Sequence, residues 1–289
     1  MSEVLDKRPH ASPHADSGTR SQRRRKRRPH QEESAPAPDG VGAAEAAAEA
    51  PVAEAPALPE PPFTLAIDIG GTGIKAMLLD KQGKPSGKRS RIETPRPATP
   101  DAVLAVIRSL LPDLPYDRVS IGFPGVVVGG VTRTAPNLGA EWHGYDLQQA
   151  VQALTSRPTR VLNDAGLQGL GVISGQGVEI VLTLGTGMGC AIFVDGRYVP
   201  NVELAHHPLR KGRTYEDYIG NAARQEVGNR KWSKRVLKVI AQVQATFNPT
   251  ILYLGGGNAT KLKWKKQPPA DVRLVENVAG ILGGIALWR

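Results

Sequence analysis

The hydrophobic positions of this chain fall into short runs cut by glycine. Leu65 to Ile69 is apolar except for Asp68, breaks at Gly70-Gly71-Thr72-Gly73, and resumes from Ile74 to Leu79 around Lys75. Two β-runs joined by a glycine turn predict a hairpin. The stretch VLTLGTGMGCAIFVDG (181–196) repeats the plan, with Gly185-Thr186-Gly187-Met188-Gly189 at the break and Asp195-Gly196 at the close. Similar hairpins about a hundred residues apart predict a duplicated fold whose two loops face one cleft.

The other segments fit alternating strands and helices. Strands are expected at 89–92, 119–123, 159–162 and 251–254, with a short hairpin at 126–131. Thr99-Pro100-Asp101 starts a helix carrying Val103, Leu104, Ile107 and Leu111 at helical spacing. Leu147, Val151 and Leu154 mark a second helix. Trp232, Val236, Ile240, Val243 and Phe247 mark a strongly amphipathic third, and NVAGILGGIAL (277–287) predicts a closely packed helix of small residues.

Composition changes the picture at the N-terminus. Residues 1–61 hold the basic run Arg23 to Arg28 and an Ala/Pro/Glu tract with almost nothing large and apolar. Such a segment cannot bury enough surface to offset its ordering entropy, so a disordered tail is expected. The tail carries nine Lys/Arg and ten Asp/Glu, which leaves 28 basic and 17 acidic residues in 62–289, a net of +11. The excess therefore lies in the folded part, much of it in RKGR (210–213), RKWSKR (230–235) and KLKWKK (261–266). A surface of that kind attracts polyanions. No apolar run approaches the ~20 residues of a membrane span, and the N-terminus reads as no secretory leader. One cysteine, Cys190, excludes a disulfide framework and a multi-cysteine zinc site, and its apolar strand predicts a packed thiol. A cytoplasmic protein with no membrane partner is expected.

The first glycine turn carries chemistry. Glycines bring backbone N–H groups close to an anion, Thr72 offers a hydroxyl, Lys75 a cation, and Asp68 a carboxylate able to hold hydrated Mg2+. Asp164, just past a buried strand, can accept a proton from a substrate hydroxyl; equally, it can cap the helix beginning at Ala165. Glu203, His206, His207 and Asn137 can hydrogen-bond a sugar, although a lone histidine such as His206 also suits a packed position and Asn137 beside Pro136 a turn.

Five stretches, in order, resemble the ROK (repressor, open reading frame, kinase) sugar-kinase family of the actin-like ATPase superfamily. DIGGTGIK resembles its first phosphate motif, SIGFPGVV the strand and loop that follow, and LNDA its catalytic-base motif. LTLGTGMGCAIFVDG resembles the second phosphate motif, and YLGGG the loop on the donor side. The resemblance covers about 62–289, and TPRPATP and RTAPN bring it nearest to the polyphosphate-using glucokinases of the family.

The resemblance implies a two-lobed α/β fold of the actin-like, ribonuclease H-like kind. Residues 62–160 would form an N-terminal lobe closed by a helix at 277–289, and 161–276 a C-terminal lobe. It implies transfer of a phosphoryl group from inorganic polyphosphate, with ATP as a further donor, to the 6-hydroxyl of glucose. Asp164 would be the base, and Asn137, Asn163, Asp164, Glu203 and His206 would read the sugar. Asp68 would hold Mg2+ through water, while Gly70, Gly71, Thr72, Gly73, Lys75, Gly185, Thr186, Gly187 and Gly189 cradle phosphates below the donor-side loop of Gly255, Gly256 and Gly257. Closure of the two lobes would bring the loops together and expel water. A homodimer without zinc is expected, and nucleic acid is not among the expected partners.

Two departures from the family pattern stand out. Ala205 replaces a glycine common before the sugar-reading histidine, and His207 is extra. The cysteine-rich zinc loop is missing together with the sugar-contacting glutamate near it; Glu216 is a candidate replacement outside the expected set. The alternatives are an ATP-dependent hexose or N-acylhexosamine kinase and a sugar-responsive ROK regulator. The regulator reading lacks the periodic apolar helices in 1–61 from which a helix-turn-helix is built.

Overall fold

Two five-stranded sheets of identical strand order organise the protein. A computed structural model describes residues 61–264, 268–275 and 279–289. The expectations for the tail through residue 60, for Lys265 and Lys266, and for the start of the C-terminal helix lie outside these residues.

In the first sheet β1 (Thr64–Ile69) and β2 (Ile74–Leu79) form the expected antiparallel hairpin, and β3 (Ser90–Ile92) pairs with β2. The chain crosses over through α1 (Pro100–Leu110) to β4 (Arg118–Phe123), parallel to β1. Thr99 starts α1 as its cap, accepting from the Ala102 N–H, with Pro100 in the first turn. Val103, Ile107 and Leu110 then face the sheet. A small hairpin, β5 (Val127–Val128) with β6 (Val131–Thr132), leads to α2 (Leu147–Thr155), capped by Asp146, and to β7 (Thr159–Asn163), parallel to β4. The order is β3-β2-β1-β4-β7.

Beyond α3 (Asp164–Leu170) the plan repeats. Strands β8 (Val178–Leu184), β9 (Met188–Val194) and β10 (Arg197–Val199) form a meander. The minor hairpin β11 (Pro208–Arg210) and β12 (Arg213–Thr214) follows, then α4 (Tyr215–Ile219) and α5 (Asn221–Phe247). Strands β13 (Ile251–Gly255) and β14 (Val272–Leu274) complete the order β10-β9-β8-β13-β14. The duplication expected from the two glycine hairpins is thus present strand for strand.

Each sheet has its own core. Ile67, Ile107, Phe123 and Trp142 are buried in the first; Leu182, Trp232, Ile240 and Leu252 in the second. Both tryptophans satisfy their buried N–H groups, Trp142 on the Ala98 carbonyl at 2.8 Å and Trp232 on that of Ile219 at 2.7 Å. Gly228 interrupts α5 with φ 73°, so its amphipathic stripe is continuous only beyond that kink.

Two boundaries differ from expectation. The first sheet runs through Asn163, paired with Phe123, so the division between sheets falls after 163 rather than at 160. The C-terminal segment is not one helix: α6 (Ala279–Leu282) passes into 3-10 turns over Gly283–Trp288. Gly283 there lies against the Leu167 carbonyl, where a Cβ would come within 1.8 Å. The segment packs on the first sheet, with Ile281 against Ala66 and Leu79, and Ser120 donating to the Gly284 carbonyl at 2.6 Å.

Candidate active site

The first glycine turn closes on itself. Beyond the last β1–β2 pair, Ile69 with Ile74, the Gly70 N–H donates to the Gly73 carbonyl at 3.1 Å, and the Thr94 hydroxyl donates to the Gly70 carbonyl. Arg91, from β3, donates to the Thr72 carbonyl at 3.0 Å and lies so close over Gly73 that a Cβ there would be 2.6 Å from its guanidinium. Asp68 and Lys75 are cross-strand partners, and their side chains pair at 2.7 Å. The turn thus carries its own charges.

The second turn is one residue shorter, lying between the paired Leu184 and Met188, and keeps different company. Gly185 donates to the Gly187 carbonyl at 3.0 Å. Glu216, from α4, accepts from the Met188 N–H at 3.0 Å and covers Gly187, where a Cβ would stand 1.9 Å from the carboxylate. The Asn221 N–H donates to the Thr186 carbonyl at 3.0 Å. The Asn258 amide donates to the Gly185 carbonyl at 2.8 Å and to Asn221 Oδ1 at 3.2 Å.

Asp164 sits between the turns. Asn163, not Asp164, caps α3: its Oδ1 accepts from the Gly166 N–H at 3.1 Å, and its Nδ2 donates to the Gly125 carbonyl at 3.2 Å. Asp164 is the first helical residue, with one oxygen accepting from the Ala165 N–H at 2.7 Å. The cap alternative is therefore taken by its neighbour. Burial pushes the Asp164 carboxyl up to about 7, helped by the Asp68 and Glu203 charges and opposed by the Ala165 N–H and Lys75. Such a value suits a general base near neutral pH.

These parts line one cavity of about 530 Å3. Every predicted site residue except Gly255 faces it, including Asn137, Glu203 and His206. Glu203 and His206 approach to 3.6 Å, and burial raises the Glu203 carboxyl above its ordinary range. Gly255 ends β13 beneath the cavity, against Gln168 and Val275, because a side chain there would fall on the Gln168 amide. Gly256 and Gly257 do line the cavity, Gly256 at φ 84° with the Leu184 backbone where a side chain would be. The Cys190 thiol also lines it but is pushed up to about 12, chiefly by burial, which keeps it inert as a nucleophile.

Residues 64–202 match the ROK family. The chain is 31% identical over 233 residues to polyphosphate glucokinase of Mycobacterium tuberculosis, spanning 75% of this chain and 88% of that protein. The chain belongs to the ROK family. The crystal structure of the inorganic polyphosphate/ATP-glucomannokinase from Arthrobacter sp. strain KM superposes with a TM-score of 0.72 at 32% identity, over 78% of this chain and 99% of that one. A ROK family glucokinase from Streptomyces griseus, 19% identical, shares the fold with a TM-score of 0.61, over 78% of this chain and 98% of that one. The fold is the two-lobed, actin-like one.

Set against the ROK pattern, the departures find places. His207 turns away from the cavity and packs beside Tyr215, ring centres 6.3 Å apart, leaving His206 as the cavity histidine. Glu216 lines the cavity without any zinc loop to hold it. It stands in the first turn of α4, which the Thr214-x-x-Asp217 capping box fixes. Asn221, Asn258 and Gln168 carried no local signal at all. The buried Gln168 Nε2 has no hydrogen-bond partner among the described residues.

A magnesium ion is implied by this family, and the donor set fits one. Among the described residues no three His, Cys, Asp or Glu side chains converge to hold a metal. Mg2+ in phosphoryl transfer needs only one or two carboxylates, the remaining ligands being water and substrate phosphate. Asp68, between the first turn and Asp164, can supply that carboxylate.

Proposed function

We propose that the cleft transfers a phosphoryl group from inorganic polyphosphate to the 6-hydroxyl of glucose. That the chain is a sugar kinase of the ROK family rests on its likeness to the Mycobacterium and Arthrobacter enzymes; donor and hexose are the proposal. The observation that carries it is Asp164, relieved of capping by Asn163, poised near neutrality and flanked by two glycine turns in one cavity.

In this reading Asn137, Glu203, His206 and Glu216 hold the sugar hydroxyls, and Asn163 retains one donor and one acceptor site for the same task. Asp164 accepts the 6-hydroxyl proton as the oxygen attacks the terminal phosphorus. The bond to the bridging oxygen breaks, and a polyphosphate one unit shorter leaves. The N–H groups of both turns and Lys75 hold the phosphate oxygens, so positioning and charge supply most of the rate. Mg2+, bound by Asp68 and the donor, would neutralise charge on the transferring group. The +11 balance of residues 62–289 favours a donor that is all charge and no base. Dimerisation and a cytoplasmic setting belong to the same proposal. Among the described residues no helix is long and apolar enough to cross a membrane.

The experiment is a coupled assay of glucose phosphorylation with polyphosphate and ATP in parallel, from low to moderate salt. We expect polyphosphate to be the better donor, with a Michaelis constant that rises steeply with salt and rises further when Lys231, Lys234 and Arg235 are neutralised. ATP winning at every salt would make this a nucleotide-dependent hexose kinase of the same fold. The name of the Arthrobacter relative, polyphosphate/ATP-glucomannokinase, keeps that second reading in play.

A further inference from the structure

A second cavity, of about 440 Å3, lies among β11, β12, α4 and α5 and is lined by Arg210, Lys211, Arg213, Tyr218 and Arg235. It shares no lining residue with the catalytic cleft. We propose that these four cations, set around Tyr218, form a second anion site that takes a run of linked phosphate groups. Only the identity of the chain as polyphosphate rests on the donor reading above.

The mounting is specific. Tyr218 carries two guanidiniums over its ring, Arg210 at 5.9 Å and Arg235 at 5.0 Å from the centroid, and Arg235 also donates to the Tyr218 carbonyl at 3.4 Å. A guanidinium laid on a ring keeps its N–H edge for an acceptor in its own plane, which is how arginine grips phosphate. Lys211 and Gly212 both have positive φ, 50° and 70°, the two-residue turn that closes a tight hairpin and holds Lys211 at its tip.

The charges are arranged against the hairpin's own stability. Arg210 and Arg213 face one another across β11 and β12, a like-charge pair that an anion would relieve. Glu226 is shared, 3.9 Å from both Arg213 and Arg235. Asp217, near Arg213, is committed to Thr214 by the capping box. Four cations against one shared carboxylate and one committed one leave the cavity strongly positive.

The chemistry favours phosphate chains over nucleic acid. Single strands are held by bases stacked on open aromatic faces, and the one ring here is occupied by guanidiniums. The site is also tied to the cleft, because the short helix α4 carries Glu216 on one side and Tyr218 on the other. A chain that reached both sites would gain affinity with length, its second contact being intramolecular.

The test compares direct binding of long-chain polyphosphate and of tripolyphosphate to the full chain, without glucose, in wild type and in the combined variant Arg210→Ala, Lys211→Ala, Arg213→Ala. Long-chain affinity should fall at least tenfold in the variant, and its log–log salt slope by about 2 for three lost cations. Tripolyphosphate affinity and the Michaelis constant for glucose should not change. The single charge reversal Lys211→Glu, at an exposed turn, should weaken long chains in the same direction if the triple variant fails to fold. Unchanged long-chain affinity overturns the site, as does equal loss of both phosphates, or competition by single-stranded DNA as strong as by polyphosphate. Long chains binding at this site while only ATP supports turnover would sink the donor reading and leave the site standing.

Discussion

The two glycine turns hold the same place in duplicated sheets and differ in length and in where their chemistry comes from. The turn at 70–73 is served from within its own hairpin and the next strand, by Asp68, Lys75 and Arg91. The turn at 185–187 has no charge of its own and borrows Glu216, Asn221 and Asn258 from 28 to 73 residues further on. Asp164 feels the first turn directly, since Asp68 raises its pKa and Lys75 lowers it, and Glu203, outside both turns, raises it further. Duplication has reproduced the frame, and the copies have divided the work: one holds cation and carboxylate, the other shapes the pocket.

The largest effect tests the residue between them. Asp164→Asn should lower kcat by ~10²–10⁴ with sugar binding nearly intact, measured by steady-state turnover alongside glucose titration. In the self-sufficient turn, Lys75→Ala should cost roughly 10²–10³ in kcat and move the acidic limb of the rate profile to higher pH. That shift follows because Lys75 holds the Asp164 pKa down.

The borrowed turn gives a sharper contrast within itself. Gly187→Ala must displace the Glu216 carboxylate, whereas Gly185 has nothing within 4 Å of a Cβ. The first change should cost on the order of tenfold to a hundredfold in kcat/KM, the second a few-fold at most. Equal losses would remove Glu216 from the account. Asn258→Ala, which deletes the tie to Gly185, should cost about 1 kcal/mol, roughly fivefold, read most simply in the Michaelis constant for the donor.

The smallest effect is on stability. The Asp164 pKa is raised by folding, so the folded state holds its proton more tightly than the unfolded state does. Stability is therefore lost as pH rises from the unfolded value through about 7. Asp164→Asn should melt a few degrees above wild type at pH 8 and lose that advantage near pH 4, by differential scanning.

How much the sequence disclosed follows from the same contrast. The first turn was legible because its carboxylate, glycines and lysine fall within residues 68–75. The repeated hairpin disclosed the duplicated sheets because strand pairing there is local. Asn221 and Asn258 were not legible, since nothing in their local pattern says that a distant turn will fold against them, and Glu216 was legible only as a stand-in for the missing glutamate, not as the partner of that turn. At Asn163-Asp164 either residue could cap α3, and only geometry assigns the cap to Asn163. Gly255 reads as part of a ligand loop by its company, yet it ends a strand against Gln168. In the C-terminal segment the helical spacing was visible, while the close approach of Gly283 to Leu167 was not.

The most direct test is the pH dependence of kcat/KM for sugar phosphorylation between pH 5 and 9. If Asp164 is the base, tuned by burial and by Asp68, Glu203 and Lys75, the rate rises about tenfold per unit at low pH and levels off near the pKa of about 7. The limb should disappear in Asp164→Asn. A flat profile, together with Asp164→Asn turning over within a few-fold of wild type, would contradict the account.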